Sequence, residues 1–155
     1  FIPAANDICG AGVAVFSPSG TSYTADITIS LWDNLPNAGG TQLATGTVNG
    51  TFDGTPLYAD VSWPTLAITP GTTYYLVFTS SDNNLGLRGH TGNQYPFGMV
   101  FANSYNPFSG YDYTFHTYTC GTPVIPMNNW AIILSILLIG GFVTFYYRRK
   151  LARKT

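Results

Sequence analysis

Apolar and polar positions alternate without a break through Tyr23, Ala25, Ile27, Ile29 and Leu31 on one side and Thr24, Asp26, Thr28, Ser30 and Trp32 on the other. A period of two predicts a half-buried antiparallel strand over residues 22–33. The pattern returns at residues 57–63, where Leu57, Ala59, Val61 and Trp63 oppose Tyr58, Asp60 and Ser62. Between them, the turn-rich stretch 34–40 predicts a loop and residues 42–48 a shorter strand. Pro70-Gly71 predicts a tight turn between strands at 65–69 and 73–80, and the second of these, the most apolar run, is expected at a sheet centre. Short strands are expected at 85–89, 98–103 and 112–119. The last of them places Tyr113, Phe115 and Thr117 on one face and turns His116 outward. About eight short strands with closely spaced turns predict a mainly β fold, an antiparallel β-sandwich of jelly-roll type.

The pattern changes after residue 121. Residues 122–129 read as a linker, and from Trp130 to Tyr147 eighteen residues pass without a charge. As a helix these would span roughly 27 Å, near the thickness of a bilayer's hydrocarbon core. Trp130 at one end and Phe145, Tyr146 and Tyr147 at the other match rings at headgroup level. Arg148, Arg149, Lys150, Arg153 and Lys154 then follow. The expectation is a membrane helix over 130–147 whose basic tail, 148–155, lies in the cytoplasm, with residues 1–121 forming an extracytoplasmic domain at the cell surface.

Charge is divided along the chain in the same way. Residues 1–129 hold one Arg against seven Asp, a formal charge of −6, while the last eight residues hold five of the six basic side chains. Such a domain has no basic surface for nucleic acid. Cys9 and Cys120 bracket the domain, and an extracytoplasmic location permits a disulfide between them. The first residue, Phe1, follows neither a methionine nor a charged leader, as expected after removal of a signal peptide or within a longer chain.

Two stretches resemble known families. IPMNNWAIILSILLIGGFVTFYYRRK is similar to the C-terminal sorting signals of the PEP-CTERM and IPTL-CTERM type, in which a Pro-containing motif, a hydrophobic helix and an Arg-rich tail follow one another. Ile125 and Pro126 match the motif's opening, Trp130 its tryptophan, and Arg148, Arg149 and Lys150 the basic end. Met127-Asn128-Asn129 stands where the IPTL pattern has Thr-Leu-Ser and one further residue. The resemblance implies an exosortase-type membrane protease as processing partner. The second stretch, from about Gly12 to Thr119, contains LWDNLPNAGGTQLATGTV, WPTLAITPGTTYYLVFTSS and DYTFHTY. It resembles secreted bacterial "choice-of-anchor" β-sandwich modules, and implies fold and location more than activity.

Catalytic chemistry has little to stand on. Glycoside hydrolysis needs paired carboxylates, yet Asp33, Asp53 and Asp82 read as turn residues, and Asp26 and Asp60 as solvent-facing strand residues. No Gly-x-Ser-x-Gly turn is present to carry a nucleophile. Two His and two Cys do not form a familiar zinc spacing, so no cofactor or metal is expected. Calcium is the one ion for which 81–84 and 32–34 offer oxygens, without the EF-hand spacing. Sugar binding fits better, because it needs aromatic platforms beside hydrogen-bonding side chains. Arg88, His90, Asn93, Tyr95 and Tyr105 are the candidate ligand residues, and Arg88 is the one basic side chain before the expected helix. An Arg–Asp pair holding a loop is the alternative role for Arg88. These readings point to a non-enzymatic surface module for adhesion, matrix or structure, with polysaccharide as ligand. The alternative is an accessory carbohydrate-binding module of a larger surface enzyme.

Overall fold

The computed structural model describes residues 1–92 and 94–121, and the expected linker, sorting motif, membrane helix and basic tail lie outside them. Asn93, one of the five candidate ligand residues, also lies outside. Among the described residues no helix is long and apolar enough to cross a membrane. Residues Phe1–Gly121 form one compact unit.

The strands run β1 (Asp7–Phe16), β2 (Tyr23–Trp32), β3 (Gln42–Phe52), β4 (Leu57–Ala67) and β5 (Tyr75–Ser80), followed by short pieces. Those are β6 (Gly86–Leu87), β7 (Gly89–Thr91), β8 (Val100–Ala102), β9 (Asn106–Phe108), β10 (Tyr111–Tyr113) and β11 (Phe115–Tyr118). Every pairing is antiparallel. One sheet has the order β11-β1-β4, with β6 also on β1; another has the order β3-β2-β5; β7–β10 and β8–β9 form two small ribbons.

The alternation read in β2 sets the core. Ala25, Ile27, Ile29 and Leu31 are buried, and they join Ala59, Val61 and Trp63 from β4, Phe52 from β3, and Ile8, Ala11, Val13 and Val15 from β1. This is the arrangement of an antiparallel β-sandwich, with one apolar face of each sheet turned inward. On the outer face of β2 and β3, cross-strand hydroxyl pairs replace apolar ones. Thr24–Thr51 and Thr28–Thr47 lie at 2.8 Å, Ser30–Thr45 at 3.1 Å, and Asn49 Nδ2 donates to Asp26 at 2.7 Å.

Several boundaries differ from the sequence reading. Strand β1 was not expected, although it is the centre of its sheet and nearly all of it is buried. The strands expected at 57–63 and 65–69 join into the single strand β4, continuous through Pro64 and ending at Ala67. Residues 73–80 do not form a central strand: β5 is an edge, because only β2 pairs with it, although its side chains are apolar on both faces. The run 112–119 breaks at Thr114, which separates β10 from β11. There Arg88 N–H donates to Ala14 O (2.8 Å), Ala14 N–H to Thr114 O (3.0 Å), and Thr114 N–H to Arg88 O (2.9 Å). This closed set of backbone bonds lets β1 exchange one partner strand for another.

Cys9 and Cys120 are joined as a disulfide with Cα atoms 5.7 Å apart and a sequence separation of 111. It ties the end of the last strand segment to β1.

Candidate functional site

Along β1, Ala11 and Val13 point into the core, so Gly10 and Gly12 belong to the outer face. Gly12 is the registered neighbour of His116 on β11 and of Asp60 on β4. Having no side chain, it leaves a gap that the flanking residues close. His116 Nε2 lies 2.7 Å from Asp60 Oδ1 and 2.7 Å from Tyr118 Oη. A Cβ at Gly12 would collide with both Asp60 Oδ1 and His116 Nε2, and one at Gly10 would meet Tyr118 Cδ2 at 3.1 Å. Both glycines are therefore required by close approach.

The cluster continues through rings. Tyr58 lies 4.5 Å from His116 between centroids and Tyr118 lies 4.9 Å from it, so the imidazole sits between two phenols. Tyr58 is 43% exposed and Tyr118 40%, and the side chains of His116 and Asp60 are 34% and 47% exposed. The Tyr118 hydroxyl is held above its ordinary pKa of 10.0 by partial desolvation, then by its hydrogen bond to Asp60 and that carboxylate's charge, then by Tyr58. It remains a neutral phenol at physiological pH. The result is a row of aromatic faces with a carboxylate and hydroxyls set among them, each side chain fixed by its neighbours.

A second feature opens beside β5. A cleft of about 750 Å³ is lined by every residue of β5, by residues 98–102, and by Tyr95, Tyr105, Asp82 and Asp112 among others. Asp112 accepts the Tyr95 N–H at 2.7 Å, and the Tyr95 hydroxyl accepts from Ile2 N–H and donates to Ile2 O, each at 3.1 Å. Tyr105 has φ 60° and Ser104 φ 62°, a left-handed conformation that costs a non-glycine residue about 1–2 kcal/mol.

The sequence candidates do not converge on one place. Tyr95 and Tyr105 line the cleft, whereas Arg88 and His90 do not. Arg88 is exposed, and among the described residues it makes no ion pair, so the alternative Arg–Asp link is not formed. His90 stands opposite Asp112 in the β7–β10 ribbon. The turn carboxylates behave as the sequence suggested: Asp82 Oδ1 accepts from Asn84 N–H (2.8 Å) and Asn84 Nδ2 (2.9 Å), and Asp33 Oδ1 from Thr41 N–H (2.6 Å). Among the described residues no three His, Cys, Asp or Glu gather as a metal site.

The outer-face cluster escaped sequence reading because its members come from distant strands. Tyr58 and Asp60 are two apart, as are His116 and Tyr118, so each pair shares a face. Only the pairing of β4 and β11 with an unrecognised β1 brings them together. Neither a family model, nor a curated protein, nor a solved structure matches the chain.

Proposed function

We propose that this chain is a non-enzymatic module displayed at the cell surface, serving adhesion or an extracellular matrix, with polysaccharide bound on the Tyr58–His116–Tyr118 row. The observation that carries the reading is that row, with Asp60 at its centre. A pyranose ring has an apolar face and a rim of hydroxyls, so it is matched by an aromatic face with donors and acceptors held beside it. Exposed aromatic side chains gathered at one spot on an otherwise polar sheet mark an interaction surface. Asp60 supplies acceptors, the Tyr118 oxygen, whose proton is held by Asp60, supplies another, and their mutual contacts reduce the entropy lost on binding.

Electrostatics narrow the ligand. With one Arg against seven Asp before the expected helix, the domain disfavours anionic polysaccharides and suits neutral or amino sugars. Catalysis is not part of the proposal: a hydroxyl–imidazole–carboxylate triad uses one ring nitrogen for each partner, whereas His116 presents the same nitrogen to Asp60 and Tyr118.

Display rests on the C-terminal pattern. A jelly-roll-like sandwich would be carried by the 130–147 helix, with Ile125, Pro126, Trp130, Arg148, Arg149 and Lys150 read by an exosortase-type protease. A disulfide spanning the domain suits an oxidising compartment. A glycan array on residues 1–121 tests the binding reading: neutral or amino oligosaccharides are bound by the native domain and lost in Tyr58→Ala and Tyr118→Ala. Binding retained in both variants would move the site elsewhere.

A further inference from the structure

Three donor atoms of different kinds meet over Gly12. His116 Nε2 lies 2.7 Å from Asp60 Oδ1 and 2.7 Å from Tyr118 Oη, and the Tyr118 hydroxyl is itself bonded to Asp60. The corners of this closed triangle are an imidazole nitrogen, a carboxylate oxygen and a phenol oxygen. Hydrogen bonding accounts for it in part. A neutral imidazole carries one N–H, so Nε2 has a single proton for two oxygens at the same distance. A metal ion would satisfy all three atoms with one centre.

The geometry suits that role. An ion about 2.0–2.2 Å from nitrogen and oxygen donors keeps those donors about 3 Å apart, so the triangle has to open only slightly. Tyr58 and Tyr118 pack on the imidazole with centroids at 4.5 and 4.9 Å, which fixes the ring with Nε2 aimed at the two oxygens. Gly12 presents no side chain beneath the triangle, and a Cβ there would collide with Asp60 Oδ1 and His116 Nε2. The side chains of His116 and Asp60 are 34% and 47% exposed, which leaves the outer positions of an ion to water. Seven Asp against one Arg before the expected helix set a field that favours a cation. Among the described residues no three His, Cys, Asp or Glu gather, and it is the Tyr118 phenol that completes the set.

We infer that Asp60, His116 and Tyr118 bind one divalent first-row transition ion, copper(II) most tightly, through Asp60 Oδ1, His116 Nε2 and the Tyr118 phenolate. Calcium takes six to eight oxygens, and this set has a nitrogen at its centre. Imidazole with oxygen donors suits copper, and copper(II) heads the affinity order of the divalent series. On binding, the Tyr118 proton leaves to solvent and the imidazole coordinates as its neutral Nδ1–H tautomer. The ion shares the row with the proposed glycan but does not require it. Its test contains no sugar, so failure of either reading leaves the other standing.

The test titrates the full chain in non-ionic detergent with copper(II) alone, in buffer holding excess glycine as a weak competitor. The expected result is a visible phenolate-to-copper charge-transfer band that saturates at one equivalent. Tyr118→Phe is expected to abolish the band, and both Tyr118→Phe and His116→Gln to weaken binding by about tenfold or more. His90→Gln, at the other histidine, is expected to leave band and affinity unchanged. On the native chain, substoichiometric copper should broaden the NMR signals of Gly12, Tyr58, His116 and Tyr118 before those of His90 and Phe1. That reading needs no variant, so loss of folding cannot imitate it. Absence of the band at one equivalent, a band retained in Tyr118→Phe, or broadening centred on His90 or on the Phe1 amine would overturn the proposal.

Discussion

His116 and Asp60 belong to strands that never pair, yet their side chains meet at 2.7 Å across Gly12 of the strand between them. Gly12→Ala places a methyl group where that contact forms. The expected cost is about 1–3 kcal/mol from overpacking, read from urea unfolding. Asp60→Asn, by contrast, removes one charge of an exposed pair and is expected to change stability by less than about 1 kcal/mol. Equal losses in the two variants would mean that the glycine gap does not govern the cluster.

The Cys9–Cys120 bridge closes a long loop and connects β1 to the end of the domain. Replacing both cysteines with Ser is expected to lower stability by about 2–5 kcal/mol, measured by chemical unfolding at fixed pH. Intact mass without reductant should be two hydrogens lighter than after reduction. Labelling of two thiols in unreduced protein would contradict the bridge.

Alkaline pH offers a separate test. Tyr113 is raised above 10.0 by burial and then by Tyr111, and Tyr118 by partial desolvation and then by Asp60 and Tyr58. A raised folded pKa means that the folded state holds its proton more tightly than the unfolded state. The stabilisation is complete below pH about 10 and is lost as pH rises through the folded values. Stability of the native domain should therefore fall more steeply above pH 10 than that of the Tyr113→Phe, Tyr118→Phe double variant. Parallel pH profiles for the two proteins would contradict the assignment.

Processing can be read by mass spectrometry of protein released from cells. A surface form ending before Trp130 supports a cleaved sorting signal. Protein that stays in the membrane and retains Lys154 makes 130–147 a plain anchor.

What the sequence disclosed follows from burial on one side or two. Strand β2 has one wet face and one dry face, so Ala25 to Leu31 alternate with polar residues and the strand is legible. Strand β1 is hidden on its outer face too, where Gly10 and Gly12 lie beneath Tyr118, His116 and Asp60, and no alternation survives. In β5 the apolar residues of both faces mimic a sheet centre, but Tyr75 and Val77 face outward and Leu76 and Phe78 border a cleft. Of the candidate ligand residues, Arg88, His90, Asn93 and Tyr95 share one segment and Tyr105 lies in the next loop. The outer-face row instead joins residues 56 positions apart, a relation that only strand pairing creates.

The most direct measurement is an NMR titration of residues 1–121 with a neutral β-linked oligosaccharide. The expected result is saturable shifts at Tyr58, Asp60, His116 and Tyr118, with the amides of β5 unmoved. Saturable shifts along β5 and at Tyr95 and Tyr105 without change in the row, or no shift with neutral and amino sugars alike, would contradict the glycan site.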